Sequence, residues 1–120
     1  MKFKIVKPNI SQTEFLNLVV EQFPKIKSEI EDEDYEGLIH LQVAAITRYA
    51  NEQLRIKRLD ELTRVINFFK EVVTKVDSNT ENALYVSFLE SLELEQLKKS
   101  EIRGLLTQDH YDTWRMLRFR

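Results

Sequence analysis

Apolar residues recur along this chain at alternating spacings of three and four positions, the repeat of a helix with one buried face. The repeat is most regular between positions 59 and 76, where it runs through Leu59, Leu62, Ile66, Phe69, Val73 and Val76. This segment spans fewer than three heptads, so we interpret it as a helix packed inside its own domain rather than as a coiled coil. We expect this fourth helix to lie at the centre of the fold.

The first helix is predicted to begin at Ser11. Ser11 and Glu14 have the spacing of a capping box, in which each side chain accepts a hydrogen bond from the other residue's backbone N–H. Ile10, just before the cap, is placed to pack on Phe15 as a hydrophobic staple. Pro24 either ends this helix or begins a short second one, because proline is tolerated at a first helical position.

The third helix is predicted from about 35 to 53. It carries two apolar stripes, which indicate that much of its circumference is buried. The stripes comprise Ile39, Val43, Ile46 and Ala50 on one side, and Leu38, Leu41, Ala45 and Tyr49 on the other.

The last third of the chain predicts three more helices. The cluster 77–80 reads as a turn and cap, followed by a fifth helix over about 81–94. Ser100 is taken to begin a sixth helix, and Thr107 or Asp109 a last one that holds Trp114. At the other end, residues 2–6 alternate lysine with apolar residues and predict a short extended arm.

These elements predict a single all-α domain over residues 1–120. Six or seven helices would form antiparallel hairpins around the fourth helix, with a short α-solenoid-like stack as one arrangement. Glycine and proline occur only twice each, which disfavours the many tight turns of a β-sandwich or barrel.

Composition and charge narrow the cellular setting. The chain has no cysteine, which removes disulfide frameworks and thiolate chemistry and fits a reducing compartment. It has no apolar run of the length of a signal peptide or a membrane span. We therefore expect a cytoplasmic protein without membrane contact. The net charge of −2 argues against nucleic acid as the main partner, since such proteins usually carry a basic excess.

Six carboxylates fall within eight positions, 29–36, and form the densest charge cluster of the chain. Asp32, Asp34, Glu36 and Gly37 match the first positions of an EF-hand calcium loop, but the closing position is occupied by Val43 instead of a bidentate glutamate. A metal site is therefore not expected here. The two remaining interpretations are a solvated loop between helices and an anionic docking surface for a basic partner.

Catalytic machinery is not apparent. Glu36 and His40 lie four apart and would share a helix face, but a catalytic pair normally uses a further orienting or oxyanion-stabilising group. His110 is accounted for by a local cap or a surface ion pair. We predict no catalytic residue, no enzyme activity and no cofactor.

The carboxyl-terminal segment 114–120 mixes aromatic residues with arginine, a combination that can bind single-stranded nucleic acid. Our interpretation is an amphipathic helix in which Trp114, Leu117 and Phe119 pack inward, because the chain as a whole is acidic.

Three short stretches resemble a known group of proteins: 82–90 with Leu92, Phe15-Leu16 with Phe23-Pro24, and 38–41. Together they are similar to an uncharacterised family of small all-helical bacterial proteins. Some members of that family resemble immunity proteins encoded beside polymorphic or contact-dependent inhibition toxins. The resemblance implies a stable helical scaffold whose outer surface binds a protein, and it implies no catalytic residues.

The resemblance and the charge pattern together predict an immunity-type protein that neutralises a cognate toxin by steric occlusion and charge complementarity. The toxin is expected to be basic, as nucleases are, since their substrate is polyanionic. The predicted partner-binding residues are Glu31, Asp32, Glu33, Asp34 and Glu36. The alternative is a generic protein-interaction or regulatory module without catalytic activity, for which an exposed apolar patch around Trp114 and Phe119 is expected.

Overall fold

The computed structural model describes residues 9–120, which fold as an all-α domain. Seven α-helices form over this part of the chain: α1 Gln12–Gln22, α2 Lys27–Ile30, α3 Ile39–Arg55, α4 Leu59–Val72, α5 Ser78–Ala83, α6 Lys99–Leu105 and α7 Gln108–Arg118. Short 3₁₀ turns cover Pro24–Ile26, Glu33–Tyr35 and Leu94–Gln96, and Leu84–Leu89 is π-helical. The predicted fold class is confirmed. The predicted extended arm at 2–6 lies outside the described residues.

Local hydrogen bonds set several helix starts where the sequence predicts them. The Ser11 hydroxyl accepts from the Glu14 N–H at 3.1 Å, and the Glu14 carboxylate accepts from the Ser11 N–H at 3.2 Å. Pro24 occupies the first position of a 3₁₀ turn. Thr107 caps α7 by accepting from the His110 N–H at 3.1 Å. The predicted cap of α6 at Ser100 was wrong by two positions, because Lys98 occupies the cap position and the carboxylate of Glu101 accepts from the Lys98 N–H.

Three predicted helices differ in extent from those of the structure. The third helix begins at Ile39 instead of near 35, because a 3₁₀ turn and Gly37 at φ +77° change the chain direction first. The fourth ends at Val72, and Val76 lies beyond it in an isolated parallel bridge with Ile10. The fifth predicted helix is divided between α5 and the π-helical segment.

The centre of the fold is shared by α3 and α4. α3 contacts α2, α4, α5 and the π-helical segment. α4 contacts α3 and α6, and its Phe68 and Phe69 pack against rings from α1, the π-helical segment and α7. The buried face of α4 includes Leu62, Ile66 and Val72, which are fully enclosed. α3 buries polar side chains as well as apolar ones: Gln42, Thr47, Asn51 and Gln53.

Not every member of the predicted apolar stripes is buried. Leu38 and Leu41 are 49% and 44% exposed, and Leu59 is 39% exposed. Leu38 is the last residue before α3, and Leu41 lies in its first turn. Among residues 9–120, no helix combines the length and the apolar character that a membrane crossing requires.

Candidate protein-binding surface

The predicted acidic residues form one exposed loop between α2 and α3, here called the acidic loop (residues 31–36). Its shape comes from the Asp32 carboxylate, which accepts a hydrogen bond from the Asp34 N–H at 2.8 Å. Ile30 and Ile39 flank the loop and are both buried. The loop is therefore anchored at both ends while its carboxylates point to solvent.

The carboxylates of the acidic loop are not neutralised by the rest of the described chain. No lysine, arginine or histidine within residues 9–120 forms a salt bridge with Glu31, Asp32, Glu33, Asp34 or Glu36. The neighbouring Glu29 behaves differently, since its carboxylate lies 2.6 Å from the Arg48 guanidinium. That contact neutralises the Glu29 charge on α2, so the uncompensated negative charge of this region is concentrated in the acidic loop.

The acidic loop borders a groove of about 370 Å³ against α1, here called the acidic groove. Its walls are of two kinds. Apolar side chains come from α1 and α2, and carboxylates come from the loop. The lining residues are Thr13, Leu16, Asn17, Val20, Ile30, Glu31, Asp32, Glu33, Glu36 and Gln42. Four of the five predicted residues therefore share one concave site, and Asp34 lies outside it.

Gln42 of α3 is the one groove residue whose polar group is deeply buried. Its side chain is 4% exposed, and its amide Nε2 donates to the Ile30 carbonyl at 3.3 Å. Its Oε1 is buried and has no hydrogen-bond partner among residues 9–120. Buried polar atoms are normally satisfied, so this acceptor marks the groove as chemically incomplete.

Residues 16–120 match the model of a protein family described as Domain of unknown function (DUF7674). The chain belongs to this family. The match confirms the resemblance to an uncharacterised family noted from the sequence. No curated protein and no solved structure matches the chain.

Glu36 and His40 do not share a helix face in this DUF7674 domain, because α3 begins at Ile39 and Glu36 precedes it. The His40 Nδ1 instead lies 2.7 Å from the Ser87 hydroxyl, which comes from the π-helical segment. A serine beside a histidine has the form of a nucleophile and its general base, but such a pair also needs a third group, usually a carboxylate, that orients the histidine. Within residues 9–120, His40 is hydrogen-bonded to no carboxylate. The contact ties α3 to the segment that packs on it.

His110 is more deeply placed than the sequence indicates. Its ring lies 4.9 Å from the Phe69 ring and 6.1 Å from the Tyr85 ring, and its Nδ1 is buried with no partner among residues 9–120. Burial lowers the pKa of His110, the positive charge of Lys70 lowers it further, and Asp109 opposes both. The backbone N–H of His110 takes part in the local cap at Thr107, while its side chain packs against aromatic rings and forms no surface ion pair with residues 9–120.

The carboxyl-terminal segment is largely committed to internal contacts. Trp114 is buried, and its indole N–H donates to the Leu92 carbonyl at 2.9 Å. Arg118 and Arg120 pair with Glu95 and Glu90, each at 2.6 Å. Phe119 departs from the expectation, since it is 59% exposed and meets Trp114 edge-on. Two of the three arginines of this segment are therefore paired, and Arg115 is exposed on α7 without a salt bridge to residues 9–120.

A second groove, which the sequence analysis missed, runs between α3 and the π-helical segment. It has a volume of about 660 Å³ and is lined mostly by polar side chains: Thr47, Arg48, Asn51, Glu52, Arg55, Ser87, Ser91, Glu93 and Arg118, with Ala44. Arg55 reaches both Glu52 at 3.2 Å and Glu93 at 3.6 Å. In the sequence, this groove corresponds to a stripe of polar residues and one alanine on α3, spaced four, three and four apart: His40, Ala44, Thr47 and Asn51.

Proposed function

We propose that this protein binds a basic protein partner through the acidic groove and neutralises it, as an immunity protein neutralises a toxin. The observation that carries the proposal is a set of five exposed carboxylates without a salt bridge to residues 9–120, four of which line one groove. Uncompensated charge of one sign accelerates association with a partner of the opposite sign and fixes its register.

The mechanism is occlusion. The acidic loop is anchored by buried Ile30 and Ile39, so it presents its charges from a fixed position on the scaffold. A nuclease is one fitting partner, because the surface that grips a polyanionic substrate is itself basic. An acidic loop seated there would exclude the substrate by charge and by bulk.

The second candidate function is a generic interaction module that uses an apolar surface. It is supported by Met116 and Phe119, which are 64% and 59% exposed near the end of α7. Exposed apolar residues grouped in one place mark interaction surfaces more often than single ones do. Replacing Met116 and Phe119 by glutamine would abolish binding under this alternative and would leave binding intact under the main proposal.

The main proposal is tested with a loop variant that keeps the side-chain shapes: Glu31→Gln, Asp32→Asn, Glu33→Gln, Asp34→Asn and Glu36→Gln. The matched control removes the same number of charges from exposed carboxylates elsewhere: Glu21→Gln, Glu81→Gln, Glu101→Gln, Asp109→Asn and Asp112→Asn. Wild type and both variants are used as bait in extracts of the source cell. Proteins retained by wild type and control but lost by the loop variant are then purified.

Association rates with the recovered protein decide the outcome. We expect the loop variant to associate at least about tenfold more slowly at low salt and to lose most of its salt dependence. The control should stay close to wild type. Equal slowing in both variants would show a general charge effect and contradict the proposal, as would an unchanged rate in the loop variant.

Neutralisation is tested separately from binding. The recovered protein is expressed in a host alone, with wild type and with the loop variant. Growth inhibition that is relieved by wild type and not by the loop variant supports an immunity-type role. A partner that binds through the acidic loop but leaves growth unaffected when expressed alone would reduce the function to a protein-interaction module.

A further inference from the structure

The acidic groove is amphipathic in a way that matches a particular side chain. Leu16 and Val20 of α1 and Ile30 of α2 provide an apolar wall, while Glu31 and Glu36 provide charge at the rim. A ligand that fits both parts needs an aliphatic stem ending in a cation. Lysine has this form, since its methylene chain lies along apolar surface while its ammonium group stays among polar groups.

Gln42 supplies a second and independent indication. Gln42 lines the groove and is only 4% exposed, and its Oε1 acceptor has no partner among residues 9–120. Its Nε2 is held only by a long bond of 3.3 Å to the Ile30 carbonyl, so a small rotation of the amide is inexpensive. A donor that enters the groove would complete this site.

The form of the acceptors favours an ammonium group over a guanidinium. A planar guanidinium binds best to one carboxylate that lies in its plane and accepts two hydrogen bonds. An ammonium is a compact charge whose three N–H donors can each bind a different acceptor. Here the acceptors are a single amide oxygen and separate carboxylates of the loop. Among residues 9–120, no group of three or more histidines, aspartates or glutamates is arranged to hold a metal ion.

We propose that the acidic groove receives one lysine side chain of the partner protein, with its stem on Leu16, Val20 and Ile30 and its ammonium bound by Gln42 Oε1 and the loop carboxylates. This inference rests on the proposed function and specifies its chemistry. The lysine supplies the register of the complex, and the remaining carboxylates supply long-range attraction.

The test uses n-butylammonium chloride, which has the stem and head group of lysine, in a titration followed by ¹H–¹⁵N NMR. We expect saturable shifts in the Gln42 side-chain amide and in backbone amides along the groove. n-Butanol and sodium chloride at equal concentration serve as neutral and ionic controls, and n-butylguanidinium compares the arginine head group. Weaker binding of n-butylguanidinium supports the assignment of lysine. Equal or tighter binding overturns it.

Two variants locate the contact. Gln42→Met keeps the volume and removes the amide, both the Oε1 acceptor and the Nε2 donor to the Ile30 carbonyl, and we expect it to weaken n-butylammonium binding by about tenfold. Gln53→Met makes the same change at another buried glutamine of α3 and should leave the affinity unchanged. If Gln42→Met is poorly folded, the wild-type Gln42 amide shift still decides the question. Shifts spread over the backbone amides of exposed acidic residues, with none at the Gln42 side-chain amide, would overturn the inference.

Failure of this inference and failure of the proposed function give different results. If the loop variant loses the partner while Gln42→Met retains it at full affinity, the lysine site is wrong and the proposed function stands. If the loop variant keeps the partner with an unchanged association rate, the proposed function is wrong. The lysine inference falls with it in that case, even where n-butylammonium binds.

Discussion

The hydroxyl of Thr47 on α3 donates to the carbonyl oxygen of Ser87 in the π-helical segment at 2.6 Å. The two residues are forty positions apart, and Thr47 is only 4% exposed. The segment Leu84–Leu89 is π-helical, a rare conformation that is found mostly as single turns within α-helices. The Thr47 hydroxyl therefore binds a carbonyl group of this segment from the helix packed against it.

Replacing Thr47 by valine keeps the shape and removes the donor. We expect Thr47→Val to lower the free energy of unfolding by about 1–3 kcal/mol, because the Ser87 carbonyl loses its side-chain partner in a partly buried place. Urea unfolding followed by circular dichroism measures this change. Thr63→Val is the matched control, since the Thr63 hydroxyl bonds only to the Leu59 carbonyl one turn away on an exposed face. Equal losses in the two variants would refute a special role for the long-range bond.

Asn51 makes two bonds to the chain that follows the π-helical segment. Its Nδ2 donates to the Ser91 carbonyl and its Oδ1 accepts from the Glu93 N–H, each at 3.0 Å. We expect Asn51→Leu to cost about 2–4 kcal/mol, because two backbone groups lose their partners together. Asn82→Leu at an exposed position of α5 should change the unfolding free energy by less than about 0.5 kcal/mol. A loss below 1 kcal/mol for Asn51→Leu would contradict this account.

The sequence predicts those features of the fold that arise from neighbouring residues. The capping box of Ser11 and Glu14 and the cap at Thr107 are short-range hydrogen bonds, so their spacing alone identifies them. The position of α3 at the centre depends instead on buried polar residues such as Asn51, which an apolar repeat does not reveal.

The candidate site divides in the same way. The charge density of the acidic loop is visible in the sequence because its residues are consecutive. The groove that the loop forms is not visible, since Leu16, Ile30 and Gln42 come from three different helices. The contact of His40 with Ser87 across 47 positions was missed for the same reason. The expected helix face shared by Glu36 and His40 was wrong, because Glu36 lies before the start of α3.

A polar cluster at the α3–α4 hairpin should make stability depend on pH in the acid range. Burial alone raises the pKa of Glu61, but hydrogen bonds from Arg64, at 2.9 Å, and from the Tyr49 hydroxyl outweigh it and leave the pKa below its ordinary value of 4.5. Burial and the bond to Glu61 raise the pKa of Tyr49 to about 12. The Glu61 contribution is therefore present above pH 4.5 and is lost as the pH falls through the lowered value.

The variant Glu61→Gln tests this dependence. We expect it to be less stable than wild type at pH 7, and we expect this difference to shrink as the pH falls from 4.5 through the lowered pKa of Glu61, where its charged contacts are lost. Urea unfolding at pH 7 and at a series of pH values below 4.5 gives the comparison, and Glu81→Gln at an exposed position of α5 is the control for loss of one carboxylate. A constant difference between wild type and Glu61→Gln across this range would contradict the assignment.

His110 should contribute a second pH dependence, at higher pH. Burial first, and Lys70 second, lower the pKa of His110 below its ordinary value of 6.5, so the folded protein holds the ring neutral. As the pH falls below 6.5 the unfolded chain takes up the proton first, and stability decreases until the lowered pKa is passed. The variant His40→Gln leaves His110 as the remaining histidine, and its NMR titration gives the pKa directly. A value at or above 6.5 would rule out this contribution.

The acidic loop should reduce the stability of the fold that carries it, because its like charges repel one another and no salt bridge within residues 9–120 offsets them. We therefore expect the variant Glu31→Gln, Glu33→Gln and Glu36→Gln to be more stable than wild type at low salt, by less than about 1 kcal/mol. The gain should shrink as sodium chloride screens the repulsion. The single variant Glu29→Gln should show the opposite sign, since it breaks the contact with Arg48. If the charged loop lowers the stability of the fold, its charge fits a surface that is retained for binding. A fold that becomes less stable when the loop is neutralised would contradict that interpretation.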